Sequence, residues 1–384
     1  MTRIVLHIGL EKTGTTSIQR FCSTNRQRLW QQHGILYPAH PALRQDEAHA
    51  ALTAALLPPN GCDFVDPEAR PEVVEVMAAL EDALAAKPEI LVLSSEHLSS
   101  RLSSAGISQL AQLLCLHPVE VLVYLRRQED MGVAAFSTHL KCGRRAWFRP
   151  REISPRNSYY DFLGKLAPWA EIFGRETIRV RLYDPTYLTH GDVLEDFLDA
   201  LGIRDASGYR REKPLNTSLN VAEAALLHWL NQALPTWDEA VRRGRPEDYH
   251  RAHQIRLRIL KDASGIPEMR QAPPLSTVLT RLDRARIRQR FERANARIAR
   301  DYLGRAQLFA EDKAMPRRGA RTLLRPRPHL DERALAEVLL SVAGRLQDSF
   351  ELPKRPPSPR GLRHSLGQRL LRPFASRPQT SPSP

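Results

Sequence analysis

Apolar residues bunch along the first 200 positions in short, nearly unbroken runs. RIVLHI (3–8), ILVLS (90–94) and VEVLVYLR (119–126) are rich in apolar residues, and TIRVRLY (177–183) reads as another strand. Runs of this kind predict strands covered on both faces, as in a parallel sheet. Between them the apolar positions fall at helical spacing. GTTSIQRFCSTNRQRLW puts Ile18, Phe21 and Cys22 on one side, and VVEVMAALEDALAAK, GISQLAQLLCL and DVLEDFLDALGI (192–203) also read as helices. Strand–helix alternation predicts an α/β fold, a parallel sheet with helices on both faces. Beyond about residue 215 the strand pattern stops, while VAEAALLHWLNQAL and LDRARIRQRFERANARIARDYLG keep helical spacing.

A further change comes near residue 316. Residues 352–384 hold eight prolines, seven Lys/Arg and no acids, a composition that predicts disorder. Three regions are therefore expected: a main domain over 1–315, a linker and amphipathic helix over 316–351, and a Pro/Arg-rich disordered tail over 352–384. Residues 316–384 carry 14 Lys/Arg against 5 Asp/Glu, leaving only +5 of the +14 net charge to the rest. A mildly basic main domain suits an anionic ligand. The tail has only Phe350 and Phe374 as aromatics, too few for base stacking, so no nucleic-acid partner is expected. In DERALAEVLLSVAGRLQDSF (331–350), Leu335, Val338, Leu339, Val342 and Leu346 predict a docking helix. GLRHSLGQRLLRPF sets leucines among arginines, a pattern suited to peripheral contact with an anionic membrane, against the plainer reading of a solvated end.

No apolar run approaches 18 residues, so no membrane-spanning helix is expected. The opening MTRIVLHIGL reads as a first strand, not a secretory signal. Cys22, Cys62, Cys115 and Cys142 show no C-x-x-C spacing, so neither a zinc site nor a disulfide framework is predicted. The cytoplasm is the expected home.

The chemistry gathers at LHIGLEKTGTTS (6–17). A glycine-rich turn after a strand and before a helix aims backbone N–H groups and a helix N-terminus at an anion. Gly9-x-x-x-x-Gly14-Thr15-Thr16 nearly matches G-x-x-x-x-G-K-[ST], but Thr15 fills the lysine position and Lys12 lies inside the loop. A lysine so placed meets the anion from another direction than in a nucleotide triphosphatase. Arg126, at the end of VEVLVYLR, lies where open α/β sheets bind ligands and can hold a phosphate bidentately. Ser94, Ser95, Glu96 and His97 end another strand. Glu96 can act as a general base or sit in the first turn of a capped helix. His49, in QDEAHAAL, is a rival base.

These stretches resemble the sulfotransferases that use 3′-phosphoadenosine-5′-phosphosulfate (PAPS), in their bacterial form. EKTGTTS is similar to that family's 5′-phosphosulfate loop. The resemblance implies a P-loop-type parallel sheet flanked by helices, with a helical C-terminal part before the basic tail. It implies that Lys12 contacts the leaving phosphate and the transferred group, while Thr13, Gly14, Thr15 and Thr16 bind the 5′-phosphate. It also implies that Arg126 binds the 3′-phosphate. The family's serine eight residues later is Ala134 here, and Ser137, one helical turn further, is the nearest hydroxyl. Glu96 resembles the family's base at a strand end. YYDFLGKLAPWAEIFGRETIRVRLYD, LNTSLN and ANARIARDYLG extend the likeness to roughly 1–310, with Asn216 and Ser218 as cleft or loop-capping candidates.

The expected activity is therefore sulfuryl transfer from PAPS to a hydroxyl or amine of a carbohydrate, lipid or small molecule, with a glycan or glycolipid as a suitable acceptor and no metal required. A nucleotide or small-molecule kinase of the same fold is the alternative, and it would want a lysine after Gly14 and a magnesium-holding aspartate. A degenerate, nucleotide-binding family member is another.

Overall fold

The structure, a computed structural model, describes residues 1–58, 64–65, 67–212 and 218–310. The expectations for Asn216, for the helix at 331–350 and for the tail fall outside these residues. Among the described residues the strands are β1 (Arg3–His7), β2 (Ile35–Leu36), β3 (Ile90–Ser94), β4 (Val119–Leu125) and β5 (Ile178–Leu182). The helices before β3 are α1 (Thr15–Thr24), α2 (Arg26–His33), α3 (Ala50–Ala55) and α4 (Val73–Ala85). After it come α5 (Glu96–Arg101), α6 (Ser104–Leu113), α7 (Gln128–Lys141), α8 (Phe162–Phe173) and α9 (Val193–Ala200). The chain continues through α10 (Val221–Ala233), α11 (Trp237–Arg242), α12 (Pro246–Ala263), α13 (Pro267–Gln271) and α14 (Arg281–Leu303).

The residues form two compact units. The first contains 1–135, 149–212 and 281–310; the second contains 136–148 and 218–280. The first unit holds the whole sheet, in the order β2-β3-β1-β4-β5, with every pair parallel. Every residue of β3 is buried, which is why its sequence shows no polar alternation. β5 lies at an edge, and its Ile178, Val180 and Leu182 are buried while Arg179 is exposed. Val5, Val92, Leu122 and Tyr124 pack with Ile18, Phe21, Leu29 and Phe197, so α1, α2 and α9 cover one face. The alternate residues Ile4, Leu6, Leu91, Leu93, Val121 and Val123 are fully buried and face the other way. α8 packs on β4 and β5, with α6 and α14 against it. Each fully buried aliphatic side chain contributes about 1.5–3 kcal/mol.

The helix expected through 14–30 is two helices. Asn25 separates them: its Nδ2 donates to Phe21 O and to Arg210 O, both at 2.9 Å, and its Oδ1 accepts the Arg210 N–H at 2.9 Å. A short amide that bonds backbone competes with helix continuation. β2 has no counterpart among the expected strands. Two residues after Gly34, which takes the left-handed conformation that ends α2, are too few to show a pattern.

The start of α7 is clamped by α14. Gln128 and Asn295 exchange amide hydrogen bonds of 2.8 and 3.1 Å. Arg288 Nε donates to Glu129, whose side chain is only 2% exposed, and Arg284 Nη1 lies 2.8 Å from Asp130 Oδ1. The clamp fixes the chain directly after Arg126. Arg288→Ala strands a buried carboxylate and is expected to lower unfolding free energy by about 2 kcal/mol, read as the urea midpoint. Arg286→Ala, on the exposed side of α14, should change it by less than about 0.5 kcal/mol.

The second unit is helical among its described residues. Asn231, fully buried, donates through Nδ2 to Leu140 O (2.8 Å) and Arg144 O (2.9 Å) and accepts Arg256 Nε at 2.7 Å. Arg145 grips Glu239 with two bonds of 2.6 and 2.7 Å.

Candidate functional site

Because all strands run the same way, their C-terminal ends share one edge. The chain goes from β1 outward to β2, returns to β3, then crosses β1 to β4 and β5. The turn after β1 therefore sits where strand order reverses, the place such sheets bind ligands. Across the edge, the order is β2's exit at Tyr37, then Ser95–Glu96, the 8–14 loop, Arg126–Arg127, and Tyr183–Asp184.

The 8–14 loop needs unusual backbone. Gly9, Lys12 and Gly14 have φ of +41°, +67° and +81°. A Cβ on Gly14 would lie 2.9 Å from Tyr183 Cε2, and one on Gly9 would lie 2.9 Å from Thr15 Cγ2 and 3.3 Å from the Glu96 Cα. Gly9 thus lets the end of β3 approach the loop. Lys12 has a side chain and still takes the left-handed conformation, at a cost of roughly 1–2 kcal/mol. Arg126 Nη1 donates to the Lys12 carbonyl at 2.9 Å and so holds the crest in place.

Gly14 also occupies the N-cap of α1, which no side chain caps. The first backbone bond of that helix runs from Ile18 N–H to Gly14 O at 3.0 Å. The N–H groups of Thr15, Thr16 and Ser17 therefore have no partner inside the helix, and an anion would supply one. The threonines divide the work. Thr13 and Thr15 are buried and donate to Leu10 O at 2.6 and 3.2 Å, so their hydroxyl protons brace the loop. Thr16 and Ser17 are exposed on the first turn.

Lys12 and Arg126 are both half-buried, and neither has a carboxylate within 4.0 Å among the described residues. The Arg126 guanidinium lies 5.3 Å from the centre of the Tyr183 ring. Its neighbour Arg127 is different: it pairs with Asp184 at 3.2 Å, donates to Ala310 O at 2.7 Å and is structural. Two cations without an ion-pair partner among the described residues, beside one loop with open N–H groups, are an arrangement suited to an anion with more than one charged group.

Glu96 is the first residue of α5. Ser95 caps that helix by accepting the His97 N–H at 3.2 Å, so the capping arrangement and an available carboxylate coexist. The Glu96 side chain turns to α1, where Gln19 Nε2 donates to its Oε2 at 2.9 Å. Gln19 is 4% exposed and stands one turn beyond Thr15, on the same side of the helix. Its position i+4 from a loop threonine was the signal for it in the sequence.

His49 has a different environment. It is fully buried, its Nδ1 accepts the Ser94 N–H at 2.9 Å, and its Nε2 donates to Pro38 O at 3.1 Å. Burial, with the charge of Arg44 adding to it, pulls its pKa down to about 4 against two backbone bonds that act the other way. Both ring nitrogens are committed to backbone, so no nitrogen is left to take a proton from an incoming hydroxyl. Ser137 belongs to the second unit, where it is buried and its Oγ accepts the Leu219 N–H at 3.0 Å. Ala134, where the resemblance wanted a hydroxyl, is buried. Ser218 is exposed.

Among the described residues no three His, Cys, Asp or Glu side chains gather as metal ligands, and no helix is long and apolar enough to cross a membrane. No protein-family model matches the chain. An uncharacterized protein of Archaeoglobus fulgidus is 24% identical over 219 residues, which are 57% of this chain and 55% of that one. The chain thus spans about half the length of the curated relative it matches. Among solved structures, the chain is similar to a crystal structure of a sulfotransferase from Alicyclobacillus acidocaldarius, at a TM-score of 0.34 and 16% identity, over 58% of this chain and 89% of the other.

Proposed function

We propose that this chain is a sulfotransferase that moves a sulfuryl group from PAPS to the hydroxyl of an acceptor. The observation that carries the reading is the pair of uncompensated cations, Lys12 and Arg126, on one phosphate-type loop, with the Glu96 carboxylate at the adjoining strand end. Thr15, in place of a kinase's lysine, spends its hydroxyl on Leu10 O and adds no charge. That favours sulfuryl over phosphoryl transfer.

The residues present fit the cosubstrate. Gly14 leaves room for close approach, and the open N–H groups of Thr15–Ser17 with the Thr16 and Ser17 hydroxyls suit the 5′-phosphate. Arg126 spends one nitrogen on Lys12 O and keeps its other donors for the 3′-phosphate. When bound, PAPS would supply a sulfuryl group activated by attachment to a phosphate. Lys12 would neutralise the charge that grows on the bridging oxygen. Glu96 would accept the acceptor's hydroxyl proton through Oε1, which has no hydrogen bond among the described residues, while Gln19 steadies Oε2.

The test is calorimetry of the full chain with adenosine 3′,5′-bisphosphate, the desulfonated product, against ATP and AMP. The bisphosphate should bind at least about tenfold more tightly, a gap of about 1.4 kcal/mol. ATP binding as tight or tighter would overturn the reading and favour a kinase. Glu96→Gln should leave bisphosphate affinity within about twofold and lower transfer from labelled PAPS to host glycans and lipids by about 10² or more. Full activity in that variant removes Glu96 from the base role.

A further inference from the structure

On the β4–β5 side of the site each strand delivers a pair of neighbours. β4 delivers Arg126 and Arg127, and β5 delivers Tyr183 and Asp184. The backbones are joined here, where Tyr183 N–H donates to Leu125 O at 2.8 Å. The side chains then sort into two sets. Arg126 and Tyr183 lie against each other, and both meet the 8–14 loop, Arg126 at Lys12 O and Tyr183 against Gly14. Arg127 and Asp184 form the other set, an ion pair of 3.2 Å.

The ion pair is anchored at both ends. Asp184 Oδ1 accepts the Thr186 N–H at 3.0 Å and the Thr186 hydroxyl at 2.7 Å, while Oδ2 takes Arg127 Nε. Arg127 Nη2 donates to Ala310 O at 2.7 Å, and its guanidinium lies 5.0 Å from the centre of the Phe309 ring. The Ala310 N–H donates in turn to the Tyr187 hydroxyl at 2.5 Å. Residues 309–310, beyond α14, therefore fasten the exits of both strands. The side chains of Arg127 and Asp184 are only 12% and 16% exposed, so the pair is weakly screened by salt.

Arg127 also completes a run. Gln128, Glu129 and Asp130, the next residues, are held by Asn295, Arg288 and Arg284 of α14. The chain from 284 to 310 thus grips every residue from Arg127 to Asp130, and stops one short of Arg126. Arg126 itself spends one nitrogen on Lys12 O and pairs with no carboxylate among the described residues. An arginine side chain is long and rich in rotamers. It binds an anion best when its root is ordered before the anion arrives, because less freedom is then lost on binding.

Resting on the sulfotransferase reading, we propose that Arg127 and Asp184 are positioning residues for the 3′-phosphate. They touch no ligand and act through Arg126, whose guanidinium they aim. The consequence is selective. A phosphate held at the N-terminus of α1 does not depend on this clasp, whereas a phosphate held by Arg126 does. The clasp therefore sets the preference for a nucleotide phosphorylated at both the 5′ and the 3′ position over one phosphorylated at the 5′ position alone.

The experiment is a double-mutant cycle on the full chain, read by calorimetry with adenosine 3′,5′-bisphosphate and with AMP. Arg127→Ala should weaken bisphosphate binding by about tenfold and AMP binding by less than about twofold. In the Arg126→Ala background the same substitution should change bisphosphate affinity by less than about twofold, because the group it acts through is gone. Asp184→Asn, nearly the same shape without the charge, should weaken bisphosphate binding by about fivefold and spare AMP. It takes the place of Arg127→Ala in the cycle if the urea midpoint shows that variant unfolded. Equal losses for the two nucleotides, no loss for either, or losses that add in the double variant would overturn the inference. If the unaltered chain shows no preference for the bisphosphate, the sulfotransferase reading falls and ATP becomes the probe of the same cycle. There a loss in Arg127→Ala that disappears in the Arg126→Ala background keeps the positioning role, and any other result overturns it.

Discussion

Lys12→Ala is expected to slow sulfuryl transfer by about 10²–10³-fold, the usual loss when one group aimed at developing charge is removed. Its effect on bisphosphate binding should be small, within about threefold, or about 0.6 kcal/mol. The asymmetry comes from the layout of the site. On the proposed reading, the phosphate end of the ligand would meet the helix N-terminus, Thr16, Ser17 and Arg126, which the substitution leaves in place. The ammonium would be required only when the bridging oxygen takes up charge. Alanine at position 12 must adopt the same left-handed backbone, with φ near +67°, so the loop geometry is tested as little as a substitution allows. Single-turnover transfer and calorimetry on the same preparation separate the two effects. Parallel losses in rate and affinity would mean that Lys12 is a binding group and not a transition-state group.

Arg126→Ala should do the reverse and weaken bisphosphate binding by about 10²-fold, close to 3 kcal/mol. Charge-assisted hydrogen bonds contribute about 1.5–3 kcal/mol each, and this side chain is in two relations at once. One nitrogen holds Lys12 O at 2.9 Å; the others are directed at no carboxylate among the described residues. Loss of the guanidinium would remove the proposed phosphate contact and also loosen the loop crest. Arg126→Lys restores charge without the fork, and should recover less than about tenfold. Affinity unchanged in Arg126→Ala would remove this residue from the ligand site and leave it as a brace for the loop.

Much of the sheet was legible because burial on both faces leaves a compositional trace. β1, β3 and β4 appear in the sequence as nearly unbroken apolar runs and β5 as an alternation of apolar residues with arginines, and each lies within a residue or two of its expected place. β2 left no trace, since two residues carry no period. The break at Asn25 was hidden because its cause is 185 residues away, in the backbone of Arg210. The site shows the same division. The loop, Arg126 and Glu96 could be located because each comes after a strand, and parallel strands deliver their ends to one edge. The use of each polar atom could not be read. Thr13 and Thr15 look like ligand donors until Leu10 O is seen to take both. His49 looks like a base until Ser94 and Pro38 occupy its ring. Hydrogen bonds of this sort join residues far apart in the chain, and local pattern does not encode them.

The left-handed backbone at Lys12 sets two kinds of fitness against each other at a single codon. Glycine there would shed about 1–2 kcal/mol of conformational strain and give back roughly half of it in unfolded-chain entropy. A library of variants sorted by heat resistance alone would thus drift toward glycine at position 12, and would lose the cation proposed to act on the bridging oxygen. A chain that retains lysine in that conformation has been held there by something other than its own durability.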